Sequence, residues 1–225
     1  MSVTVDPLFL TVARISTYDD PTIGKVWNYG TGFFYSNPKE QLFFITNRPV
    51  LLDEEKKYFH NVVRLSLHAN QNDLRLNRDY DIPLYKGAKK LWTEPNPSAD
   101  VVAIPLDVKD IQGKGLLLKS FSDVNLLPPD LLLHVGEDIL VMGYPLGQYY
   151  DDVFNLQVVR NGTVASAYPM QFRGQPYFLI DARLNEGTSG SPVNSSSVPT
   201  MPTVCAMLNM SKIPTSNTIS DLYRR

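Results

Sequence analysis

Apolar residues along this chain fall in short runs separated by polar punctuation, without the three-and-four spacing of a long amphipathic helix. FLTVARIS, TGFFYS, QLFFITN, NVVRLSLHA, ADVVAIPL, GEDILVMGYPL, LQVVRNGTVASA, PYFLIDAR and PTVCAML are each bounded by Gly, Pro, Asn or Asp, the pattern of strands closed by turns. The expectation is an all-β protein, an antiparallel barrel or sandwich with little helix. The rhythm breaks over QGKGLLLKSFSDVNLLPPD, from Gln112 to Asp130. A junction in that stretch divides the chain into two similar β halves, 1–118 and 119–225, each of ordinary domain size. No sequence repeat relates the halves.

Composition narrows the function classes. With 225 residues, 43% hydrophobic and 20% charged, the chain is long enough to bury a core without covalent staples. A net charge of -2 gives no electrostatic reason to expect nucleic acid or an anionic membrane as partner. One cysteine, Cys205, and three histidines, His60, His68 and His134, offer no intramolecular disulfide and no zinc spacing, so no metal and no cofactor is expected. The N-terminal MSVTVDPLFLTVARI lacks both a secretory pattern and a membrane span, and the expected location is cytoplasmic. Glycosylation tripeptides at Asn161, Asn194 and Asn209 carry no weight without a secretory route.

Chemistry concentrates in EGTSGSPV, residues 186 to 193. A serine between glycines suits a nucleophile on a sharp turn, with the amides of Gly187 and Ser189 able to face a developing oxyanion. The same composition also suits an ordinary hairpin loop. This segment resembles the GDSGGP-type nucleophile stretch of chymotrypsin-like serine peptidases, above all the GxSGSP of bacterial trypsin-like members. Other stretches follow in that family's order: YGTGFFYS, ITNRPVLL, SADVVAIPL, VMGYPLG and VVRNGTVAS. Any one match is weak, but together they run collinearly over residues 9 to 194, and base, aspartate, serine is the chymotrypsin order among convergent triads.

The resemblance implies two six-stranded antiparallel barrels and peptide-bond hydrolysis of a protein or peptide. It places Ser189 as nucleophile, Asp100 as orienting carboxylate, and Gly187 with Ser189 as oxyanion-hole amides. Arg183 falls near the family's pocket floor, where it would favour an acidic side chain, and Thr188 is the second expected substrate contact. The base position falls on Pro49, in a short helical turn that Asn47 is expected to cap. Proline cannot accept or return a proton, so the resemblance implies a peptidase inactive as written, or alternatively a non-catalytic peptide- or protein-binding β-barrel module. Two further readings stay open: an active enzyme using His60 or His68 as substitute base near Asp100, and a barrel unrelated to peptidases. His134 is expected to pack at the mouth of the second barrel. The family's glycine wall after the nucleophile is missing, so the second barrel is expected to be shortened or part of a longer chain, with TVCAMLNM as its strand and Cys205 as a small buried residue.

Overall fold

The computed structural model describes residues 6–53, 57–95, 100–128, 131–147, 152–174 and 177–195, and the backbone of 203–207 and 223–224. The first half carries β1 (Val12–Tyr18), β2 (Tyr29–Ser36), β3 (Leu42–Asn47), β4 (Leu52–Asp53), β5 (Tyr58–Phe59), β6 (Val62–His68), β7 (Asn77–Pro83), β8 (Tyr85–Lys86), β9 (Lys89–Lys90) and β10 (Val101–Pro105). Helix is confined to short pieces, among them α1 (Arg48–Leu51) and α2 (Val108–Gly113). The second half carries β11 (Asp138–Gly143), β12 (Val158–Val164), β13 (Tyr177–Phe178), β14 (Ile180–Ala182), β15 (Pro192–Ser195), β16 (Thr203–Met207) and β17 (Tyr223–Arg224).

Six strands form one sheet in the order β10-β3-β2-β1-β6-β7, and five form another in the order β14-β12-β11-β15-β16. Both are antiparallel throughout. The fold is an all-β pair of antiparallel barrels, with six strands in the first sheet and, among the described residues, five in the second. Alternation explains each strand: in β6, Val63, Leu65 and Leu67 are buried, while Arg64 and Ser66 point outward to Asp81 and Asp79 of β7, the period of two that a pleat imposes.

Each half has its own core. Ile15, Phe34, Phe44, Leu65 and Ile104 belong to the first, and Ile139, Val141, Val164, Ile180 and Val193 to the second. A third cluster, Val12, Phe33, Phe121, Met142 and Tyr144, joins the barrels. Each such side chain contributes about 1.5–3 kcal/mol by leaving water, so the seam is an apolar joint. The crossover feeds it: Leu117, Lys119 and Phe121 donate their amides to His68, Leu10 and Phe34 of the first half.

Two expectations need correction. His134 is exposed in a turn, its amide on Glu137, and does not pack into the barrel. β7, NRDYDIP, had no counterpart among the apolar runs, because only Tyr80 and Ile82 face the core. It is an edge strand, and its charges and Pro83 are what protect such an edge from pairing. The TVCAMLNM reading matches β16, which pairs with β15; the Cys205 side chain lies outside the described residues.

Candidate active site

β3 pairs with β10 so that Asn47 lies opposite Val101, and the chain then turns into α1. Pro49 occupies the first turn, where the amide has no intrahelical acceptor and proline costs little. Asn47 does not cap the turn with its side chain; that amide instead donates to the Asp100 carbonyl at 3.3 Å. The Arg48 amide donates to the same carbonyl at 2.9 Å. Asp100, half-buried and at φ 46, is thereby fastened to the two residues that precede Pro49, in a left-handed conformation that aspartate tolerates better than most.

In the serine loop, four consecutive carbonyls are anchored. Glu186 O accepts from Leu146 N at 2.8 Å, Thr188 O from Ser191 N at 3.0 Å and Ser189 O from Thr31 N at 2.9 Å, while Gly187 O accepts from Thr31 Oγ1 at 2.8 Å. Peptide planes are trans, so a pinned carbonyl fixes the following N–H in the opposite direction. The Gly187 N–H therefore points away from Leu146, and it meets no acceptor among the described residues. Glycine is required at 187, where φ is +93 and a Cβ would lie 2.5 Å from Tyr144 O.

A pocket of about 300 Å³ opens between the barrels, with Asn28, Tyr29, Pro49 and Val50 from the first half and Glu186, Gly187 and Ser189 from the second. The structure thus brings Pro49, Gly187 and Ser189 to one cavity, with Asp100 hydrogen-bonded one residue away from Pro49. Burial raises the phenol of Tyr29 above its ordinary range. Arg183 and Thr188 are not among the lining residues: Arg183 is exposed beyond β14, and Thr188 is buried with its hydroxyl donating to Asn185 O at 2.5 Å. Glu186 was missed by sequence reading, although it directly precedes Gly187.

The profile of the trypsin-like peptidase domain matches residues 30–197, a span that contains Pro49, Asp100 and Ser189. The chain belongs to the trypsin-like peptidase domain family. A barrel unrelated to peptidases is thereby set aside. In fold, this peptidase-family chain is similar to the crystal structure of the serine endoprotease from Yersinia pestis, at 15% identity and a TM-score of 0.59. The match covers 96% of this chain and 58% of the Yersinia chain. No curated protein matches the sequence.

The histidines of this family member are placed elsewhere. His60, one of the two histidines left open as a substitute base, has its Nδ1 2.9 Å from Asp19 Oδ1, and its ring is 1% exposed. The imidazole is stacked on Trp27, with Tyr58 edge-on. Tyr58 donates to the other Asp19 oxygen at 2.6 Å, and this bond is the main cause pushing its phenol up to about 12. His68 is buried, and desolvation lowers its pKa below the ordinary imidazole range. Neither lines the pocket. Among the described residues no group of three His, Cys, Asp or Glu could hold a metal. Asp19→Ala, which strips the partner from buried His60, is expected to cost about 1–3 kcal/mol in denaturant unfolding, and Tyr58→Phe less.

Proposed function

We infer that this domain holds a protein or peptide segment in a serine-peptidase cleft without hydrolysing it, because Pro49 stands where the family's general base stands. The observation that carries this reading is that Pro49 and Ser189 line one pocket, which none of the three histidines reaches. By the family resemblance Ser189 is the nucleophile position, Asp100 the orienting carboxylate, and the Gly187 and Ser189 amides the oxyanion donors. A serine hydroxyl needs a base to take its proton and return it to the leaving amine. Without one, oxyanion stabilisation and binding alone give about 10³–10⁴-fold over water, which leaves peptide bonds intact on biological timescales. Such clefts take extended segments by strand addition, with pockets setting side-chain preference.

Arg183 does not line this pocket, and the pocket's own charge points to a different preference. Among the described residues Glu186 is its one acidic wall residue, no lysine, arginine or histidine lines it, and the Glu186 carboxylate has no ion-pair partner. A cationic or neutral ligand residue is therefore favoured over an acidic one. The test is a fluorophosphonate reaction together with titration of casein-derived peptides into the 15N-labelled protein. The expected outcome is no label on Ser189, peptide-induced shifts at Asn28, Gly187 and Ser189, and about 2–5-fold tighter binding of basic peptides than acidic ones, reversed by Glu186→Lys. Rapid labelling of Ser189 in the unaltered protein would sink the reading.

A further inference from the structure

The serine loop belongs to the second barrel, yet half of its anchoring comes from the first. Thr31, on β2, is fully buried and engages all of its polar atoms. Its N–H donates to Ser189 O at 2.9 Å. Its hydroxyl donates to Gly187 O at 2.8 Å and accepts from Tyr144 N at 3.0 Å. Its carbonyl accepts from Thr46 Oγ1 at 2.8 Å. Thr46 is equally buried, lies opposite Gly32 in the β2–β3 pairing, and stands just ahead of α1. One residue, through its hydroxyl and its backbone, therefore ties together the serine loop, the residue after β11 and, through Thr46, the strand that delivers Pro49.

We propose that Thr31 is a positioning residue for the oxyanion and nucleophile segment, pinning, before any ligand binds, the 187–188 and 189–190 peptide planes that alternate with the planes bearing the Gly187 and Ser189 N–H groups. The loop's four carbonyls alternate in their anchors. Those of residues 186 and 188 are held within the second barrel, and those of 187 and 189 by Thr31. Peptide planarity couples each carbonyl to the N–H that follows it, so release of Gly187 O frees the 187–188 plane and, through the shared Cα, the two planes beside it. Valine would fill the same volume with no donor, leaving Gly187 O and Tyr144 N unpaired in a buried seam. Serine would keep the bond. The catalytic arm of this proposal rests on the reading of Ser189 as nucleophile; the structural arm does not.

The test compares Thr31→Val and Thr31→Ser in the full 15N-labelled chain and again in a Pro49→His background. Thr31→Val is expected to move the Gly187, Thr188 and Ser189 amide resonances and speed their hydrogen exchange, leaving Gly115, in the turn that follows α2, unmoved. In the Pro49→His background it is expected to lower kcat on the order of 10²-fold, as a small misplacement of reacting groups does, with KM little changed. Thr31→Ser should restore both readouts. Loop amides that stay in place in Thr31→Val would overturn the proposal. If Pro49→His is inactive while the loop amides still respond, Thr31 keeps its role and only the peptidase reading falls. Should Thr31→Val not fold, Thr46→Val, which removes only the bond to Thr31 O, carries the same measurement, and unmoved loop amides there count against the proposal.

Discussion

Pro49→His is expected to raise Ser189-dependent hydrolysis of an activated ester by about 10²–10⁴-fold, the usual contribution of a positioned general base. The argument begins with the backbone. α1 places residue 49 in a first turn that any residue can occupy, and the residues before it are fixed to Asp100 through two hydrogen bonds to one carbonyl. An imidazole there would enter the pocket that already contains Ser189. It would take the Oγ proton as the serine attacks the carbonyl, and then return that proton to the leaving group, while the loop amides receive the developing oxyanion. Ester turnover and fluorophosphonate labelling measured side by side would check this, with Ser189→Ala abolishing both. Adding Asp100→Asn to Pro49→His should remove most of any gain, through loss of the correct imidazole tautomer. If Pro49→His labels no faster than the unaltered chain, the reading of residue 49 as the base position fails.

Much of this was legible because strands announce themselves by apolar alternation and the serine loop by its glycines. β1, β2, β3, β6 and β10 coincide with apolar runs, and Ser189 and Pro49, which the order of segments singled out, line one pocket. What escaped detection escaped for physical reasons. β7 exposes Arg78, Asp79 and Asp81 and buries only alternate residues, so its composition reads as a loop. Arg183 was singled out by its count from the serine and Thr188 by its place in the motif, and neither lines the pocket that holds Ser189. Thr188 has so short a side chain that its hydroxyl is satisfied inside the turn, on Asn185 O. The pocket wall could not be read at all, since Asn28, Tyr29 and Val50 reach it from the opposite barrel. His60 shows the same limit: its partner Asp19 lies 41 residues away, brought close by the strands between them.

The largest stability effect is expected at Gly190, where Gly190→Ala should cost about 3–5 kcal/mol. Two contributions separate cleanly. Gly190 has φ +90, a region that disfavours any Cβ, and the added carbon would lie 1.9 Å from Thr31 O and 2.6 Å from Thr46 Oγ1. Gly115 provides the comparison, because it also has positive φ, +65, but has nothing within 4 Å of its Cβ position. Gly115→Ala should therefore show the backbone cost alone, about 1 kcal/mol. The excess at Gly190 measures how closely the serine loop is pressed on the first barrel. Relief by movement is blocked, because Thr31 O is held by Thr46 Oγ1 and Thr31 N by Ser189 O, so any retreat breaks a buried bond on one side or the other. Urea unfolding of the two variants beside the parent decides the matter. If Gly190→Ala loses no more than Gly115→Ala, the loop is not clamped between barrels, and the account of a preformed cleft built on Thr31 loses its foundation.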